Sequence, residues 1–326
     1  MGRRPDIRAA AFSFGRARGY GARKGVRHMM DRRQLMAGAV AGAVTGAGLM
    51  AGPGLALVAP GEVTHRLDML THDDGRQVPL DIWAPATAGA WPLMPFSHGA
   101  NSRADKYAEL CRPLAAMGFV VVAITHADSP DHPGGGKIDM TRASAMRLAD
   151  MRALIRRRAE WGASAEKVIA AGHSYGALIA QILCGARVEA DGTGPDPMDA
   201  DVLAGLAYSP PGQWIGIPAN SWASMNKPML VQTGTADVLP GLADIWEKHR
   251  LSFDTTPAPA ALFVGEGVDH YFGNLICRPE RDVAPQRVQL DSAIAVTDAF
   301  LKLVRAGQPL APLKAMQVPM GWVEVR

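Results

Sequence analysis

The stretch Val168-Ile169-Ala170-Ala171-Gly172-His173-Ser174-Tyr175-Gly176-Ala177-Leu178-Ile179-Ala180 limits what this chain can fold into more than any other. Its first residues form a short apolar run suited to a buried strand, and an apolar helical pattern continues from Tyr175 through Leu183. Gly-x-Ser-x-Gly lies between them, so the residues predict a strand, a sharp turn and a helix, with Ser174 at the tip of a nucleophile elbow. Both glycines have a mechanical reason, since a side chain at Gly172 or Gly176 would collide with the neighbouring strand or helix. A five-residue match alone means little in a chain with 35 glycines. Its place between a strand pattern and a helix pattern gives it weight.

The rest of the chain repeats that alternation. Val63–Leu70 and Val78–Trp83 read as short strands joined by a turn at Asp73-Asp74-Gly75, the antiparallel edge of a sheet. An apolar strand, Pro92–Ser97, runs into His98-Gly99-Ala100-Asn101. Tyr107–Met117 follows with a helical stripe, and Phe119–Ile124 with a buried-strand pattern. Thr141–Trp161 predicts a long helix whose arginines at 152, 156, 157 and 158 form a solvated face. Strands are expected at Val202–Ala207, Met229–Thr233 and Ala260–Val264, and helices at Ala243–Leu251 and Val288–Val304. The Pro-broken tail Pro309–Arg326 reads as an irregular strap. Strands alternating with helices indicate an α/β domain over residues 60–326, with a mostly parallel, doubly wound sheet. Only 21 residues separate the Val202–Ala207 strand from the Met229–Thr233 strand, too few for a large lid domain. The loop Thr125–Met140 contains Gly134-Gly135-Gly136-Lys137, but it lacks the spacing and strand-to-helix context of a phosphate-binding loop, and it reads as a flexible rim of the site.

The net charge of +3 belongs to the N-terminus, where residues 1–36 hold ten Lys/Arg and two Asp. The remaining residues carry 24 bases against 29 acids, so the charge is no argument for nucleic-acid binding by the folded part. Asp31-Arg32-Arg33-Gln34-Leu35-Met36 resembles a twin-arginine motif and precedes an uncharged Gly/Ala-rich run, Leu35–Ala59. Residues 1–59 are therefore expected to be a basic leader with an export signal. Met29 or Met30 is an alternative start, and small residues at Gly54, Ala56 and Ala59 place cleavage between Leu57 and Gly61. The exported chain would be periplasmic or secreted and would meet the membrane only in transit. An uncleaved leader acting as an anchor is the alternative. Cys111 and Cys184 fall on apolar helical patterns and read as buried thiols, while the pairing of the three cysteines, Cys277 included, is open. Nothing in the residues calls for a metal or another cofactor, and the oligomeric state is not legible.

A serine nucleophile needs a base, and the base needs an acid that fixes its tautomer. In an elbow of this type the chain order is Ser, Asp or Glu, then His. Asp237 follows the Met229–Thr233 strand in Gly234-Thr235-Ala236-Asp237, with Asp201 and Asp244 as weaker substitutes. His270 follows the Ala260–Val264 strand. Among the nine histidines only His270 has this order and placement; His249, for instance, lies on a predicted helix. The negative oxygen of a tetrahedral intermediate needs preorganised donors, expected to be the backbone N–H groups of Tyr175 and Ala100. His98 is expected to bond within its turn. The site is expected to be walled by Ser129–Met140 and by Ser209–Met225, where Trp214, Ile215, Ile217, Trp222 and Met225 supply apolar surface; the tryptophans read first as core or rim filler, with acyl-chain contact as the alternative.

Phe96-Ser97-His98-Gly99-Ala100, the Gly172–Gly176 elbow, Asp237 and His270 together resemble the α/β-hydrolase superfamily. The Arg147-x-x-Asp150-x-Arg152 pattern and the Gly-His-Ser-aromatic-Gly elbow are similar to those of bacterial dienelactone-hydrolase-like and platelet-activating-factor-acetylhydrolase-like serine esterases. The resemblance spans residues 63–305, with Ser174 standing where dienelactone hydrolases carry a cysteine. It implies a small-molecule ester as partner, a short-chain acyl ester above all, cleaved through an acyl-enzyme. Hydrolysis of an exported polyester or lipid, amide or peptide cleavage, and a catalytically inactive binding protein are the competing readings.

Overall fold

The computed structural model describes residues 61–135, 138–188, 200–213 and 217–326. The expected leader, residues 1–59, and the candidate wall residues Trp214 and Ile215 lie outside them.

Val63–Thr71 (β1) and Gln77–Pro85 (β2) form the expected antiparallel hairpin. Six strands follow: Leu93–Ser97 (β3), Val120–Ile124 (β4), Val168–His173 (β5), Val202–Tyr208 (β6), Met229–Gly234 (β7) and Ala260–Gly265 (β8). They run parallel in the order β4-β3-β5-β6-β7-β8, with β2 antiparallel beside β4. All are buried apart from Leu203, as parallel strands covered on both faces must be. Pro95 sits inside β3, where it has no N–H to give a ladder. Accordingly, β3 meets β5 only beyond it, at Phe96 and Ser97.

Helices cover both faces. Ala108–Ala116 (α1), Met140–Arg156 (α2), Tyr175–Leu183 (α3), Leu251–Thr255 (α4) and Arg287–Arg305 (α5) connect or follow the strands. Alternate strand residues point to opposite faces, so Val231 and Leu262 pack with α2, α3 and α4 while Leu230 and Phe263 pack with α1 and α5. On α5, Leu290, Ala293, Val296, Phe300 and Val304 recur every three to four residues and are buried, the stripe that makes this segment a helix. No described helix is long and apolar enough to cross a membrane.

Two expectations are corrected. Residues Ala243–Leu251 are not one helix: Ala243 bridges back to Leu239, Trp246–Arg250 is a 3-10 turn, and only Leu251–Thr255 is α-helical. The tail is not an irregular strap throughout, because Gly321–Val325 forms a ninth strand (β9) antiparallel to β8. It pairs the outer edge of β8, and Val323 and Val325 turn toward the core while Trp322 and Glu324 alternate with them. That period of two lies behind a Pro-rich stretch, which masks it in the sequence. The sheet therefore has an antiparallel strand at its C-terminal edge as well as two at its N-terminal edge.

Candidate active site

The loops beyond the carboxyl ends of β3, β5, β6, β7 and β8 form the site, the position ligands take in open α/β sheets. Six described non-glycine residues have left-handed backbone. Five of them, Asn101, Ser174, Ser209, Phe272 and Cys277, lie on these loops, so strain is concentrated at this end. Ser174 has φ 53° and ψ −120°, and its N–H donates to the Tyr208 carbonyl of β6 at 2.8 Å, which holds the elbow over the sheet. The two glycines are needed as the sequence implied. A Cβ on Gly172 would meet the Gly176 carbonyl, and one on Gly176 would meet the Ser97 carbonyl at the end of β3. Both obstacles are backbone. Gly176→Ala is expected to lower the unfolding free energy by about 3 kcal/mol, read as a shifted urea midpoint; an unchanged midpoint would show that β3 and α3 are not this close.

Asp237 and His270 are brought together. His270 Nδ1–H donates to Asp237 Oδ1 at 2.7 Å, and Thr233 Oγ1 donates to Asp237 Oδ2 at 2.8 Å. Both residues are buried, whereas Ser174 is half-buried. Burial pushes Asp237 up, but the adjoining His270 and His249 overcome it and hold the carboxyl well below the usual range. For His270 burial wins over the pull of Asp237, so its pKa is lowered and the ring is neutral at neutral pH. Asp269 accepts from the N–H groups of Tyr271 and Gly273 and pairs with Arg281, which fixes the loop carrying His270.

His173, the variable residue inside the elbow, ties three loops together. Its Nε2 faces the His270 carbonyl at 2.8 Å and must donate, because a carbonyl only accepts. Nδ1 then accepts from Tyr107 Oη at 2.9 Å, and Tyr107 Oη accepts the Gly99 N–H at 2.8 Å. The network is complete with a neutral ring, and burial lowers the His173 pKa to about 4.

The turn after β3 is fixed from within. His98 Nδ1 donates to the Gly99 carbonyl at 2.6 Å and Nε2 accepts the His126 N–H, so His98 bonds within its turn as expected. In a trans peptide the carbonyl and the following N–H point in opposite directions, so this bond also orients the Ala100 N–H. A Cβ on Gly99 would stand 3.3 Å from Ser174 Cβ, which places the turn against the nucleophile. Arg147 is fully buried, pairs with Asp128 at 2.8 Å, donates to the His98 carbonyl and lies over the Tyr175 ring at 4.4 Å. Ser97 Oγ, His126 and Asp150 form a second Ser-His-Asp relay, with contacts of 2.9 and 2.7 Å. It is wholly buried, and His72 and Arg76 also reach Asp150, so it serves to brace the turn.

The expected apolar wall is corrected. Trp222 is fully buried and donates Nε1–H to Gln181 Oε1 on α3; Ile217 and Met225 are buried with it. Its hydrogen-bonded indole is a core pillar and lines no site. The loop after Asp237 carries three exposed apolar side chains, Val238, Leu242 and Ile245. Asp237, His249 and His270 place ligand-type atoms within 4.8 Å of one another. The 2.7 Å contact from His270 to Asp237 needs a proton between the two atoms, so the group reads as hydrogen-bonded. Cys111, Cys184 and Cys277 are free and buried, and burial pushes the Cys184 thiol up to about 12.

Comparison with known proteins bears on this arrangement. The chlorophyllase family model matches residues 60–190, which include the β3 turn and the elbow and stop before Asp237 and His270. A search of the curated proteins gave no match. A protein from Klebsiella pneumoniae assigned as a dienelactone hydrolase superposes with a TM-score of 0.53 at 16% identity, over 76% of this chain and 100% of that one. Thermogutta terrifontis esterase 2, phosphorylated by paraoxon, gives 0.54 at 17%, over 76% and 95%. The chain has the α/β-hydrolase fold. In this fold the elbow, the acid loop and the base loop stand in the order the sequence predicted. No lid domain is present among the described residues.

His173, Tyr107, Arg147 and His249 are the site residues that sequence reasoning missed or set aside. Arg147 and His173 left signals, in the Arg147-x-x-Asp150 pattern and the Gly-His-Ser-aromatic-Gly elbow.

Proposed function

We propose that this chain is a serine hydrolase of carboxylic esters, with a short-chain acyl ester as substrate. The observation that carries the reading is the buried 2.7 Å Asp237–His270 pair on the loops that follow β7 and β8, beside a strained, half-buried Ser174. Ser174 Oγ attacks the ester carbonyl while His270 Nε2 takes its proton, and Asp237 stabilises the imidazolium that forms. The oxyanion is met by the N–H of Tyr175, at the start of α3, and by that of Ala100, whose peptide His98 holds in place. His270 then returns the proton to the leaving alcohol, and water repeats the sequence on the acyl-enzyme. Val238, Leu242 and Ile245 supply apolar surface for the acyl or alcohol part. The esterase from Thermogutta terrifontis that shares the fold is phosphorylated by paraoxon, which supports the use of organophosphates on this chain. With the leader, the reading is of an exported enzyme.

A series of p-nitrophenyl esters of increasing acyl length, run beside the matching anilides, tests the class. Acetate and butyrate esters should be turned over fastest and the anilides barely. Anilides hydrolysed as fast as esters would make the chain an amidase instead.

A further inference from the structure

His249 touches the acid of the relay at Oδ1, the oxygen that His270 also contacts. It lies in the 3-10 turn Trp246–Arg250 and is almost fully buried. Its Nδ1 lies 2.8 Å from the Pro210 carbonyl and therefore donates. Nε2 lies 3.1 Å from Asp237 Oδ1, at ion-pair distance but out of line for a hydrogen bond, and it has no other aligned partner. The accounting that leaves His173 neutral gives a different answer here. A neutral His249 with its proton on Nδ1 would set an uncharged nitrogen 3.1 Å from a buried carboxylate oxygen, whereas an imidazolium donates to Pro210 and pairs its charge with Asp237.

We propose that His249 is a cationic positioning residue of the relay: as an imidazolium it stands against Asp237 Oδ1, the same oxygen to which His270 Nδ1 donates. This rests on the ester-hydrolase reading of the site. The pKa of His249 is raised although burial acts to lower it, because Asp237 outweighs burial. The titratable groups facing His249 are Asp237 and His270, whose ring centroid is 5.5 Å away, with His173 behind His270 at 4.8 Å. Its chain neighbours turn elsewhere, Lys248 to Asp244 and Arg250 to Asp254 and Glu324. A cation at this distance disfavours protonation of His270 and so opposes Asp237, keeping the base neutral further into acid than the Asp–His pair alone would. The sign of the effect follows. Removing the cation raises the His270 pKa, and the acid limb of kcat/KM, which reports the free base, moves to higher pH.

The test compares the full chain with H249Q and H249N. Each variant should move the acid limb of kcat/KM for p-nitrophenyl acetate upward by about one pH unit. A role limited to bridging Asp237 and Pro210 would lower the rate without moving the limb. Nitrogen NMR of histidine-labelled wild type supplies a second readout: one histidine should keep both ring protons at a pH where the other histidines have become neutral. Coincident acid limbs in folded, active variants overturn the proposal, and so does a wild-type spectrum in which no histidine holds its second proton to higher pH than the others. Should neither variant fold, the spectrum decides. A wild type that cleaves no ester would overturn the functional reading itself, and the spectrum would still report the charge of His249.

Discussion

Ser174→Ala is expected to remove ester hydrolysis, lowering kcat/KM by about 10⁴-fold or more, with the fold intact. The substitution deletes only Oγ, while the backbone bond that fixes the elbow, Ser174 N–H to the Tyr208 carbonyl at 2.8 Å, is unaffected. The left-handed backbone is no easier or harder for alanine than for serine. Thermal unfolding should therefore stay close to that of wild type, within the roughly 0.5 kcal/mol typical of changes away from core packing. Residual turnover comes from the oxyanion donors and substrate binding alone. A folded Ser174→Ala protein with wild-type kcat/KM would place the nucleophile elsewhere.

The second large effect is expected from Asp237→Asn, a loss in kcat of about 10⁴-fold with little change in KM, since Asp237 is buried behind His270 and lines no substrate surface. Asparagine can keep its oxygen toward His270 Nδ1, because the other position faces Thr233 Oγ1, a hydroxyl able to accept as well as donate. What it lacks is charge. The imidazolium formed at His270 loses its stabilising anion, and His249 loses the carboxylate that favours its proton. Steady-state kinetics separate this from a binding defect: a raised KM with kcat preserved would mean that Asp237 shapes the pocket and does not support the base. Stability should respond as well, because the folded state holds the Asp237 carboxyl below its unfolded pKa. The stabilisation it gives is present above the unfolded carboxylate range and is lost as pH falls through the folded value.

Much of this site could be read from residues alone, for identifiable reasons. The elbow carries its constraints locally, in two glycines whose missing Cβ atoms clear Ser97 and Gly176 backbone. Asp237 and His270 follow from chain order, because each sits just past an apolar strand and the sheet brings strand ends together. Residues whose roles depend on distant partners were not legible. Tyr107 matters because its hydroxyl joins Gly99 to His173, 66 residues away. His249 was set aside as a helix residue, and nothing near it in sequence reveals that its turn returns to Asp237. Trp222 was open between core and wall, because an apolar side chain between two strands can be either, and its burial and its bond to Gln181 show it to be core. β9 was hidden because a five-residue alternation behind prolines is a weak signal until an open edge at β8 is known to need covering.

The most direct test of the central claim is labelling of the folded full chain with a fluorophosphonate, followed by peptide mapping. Ser174 should carry the adduct, labelling should slow at acid pH as His270 gains its proton, and Ser174→Ala should take up none. An active, folded protein whose Ser174 stays unmodified, or one labelled at another serine, would contradict the account.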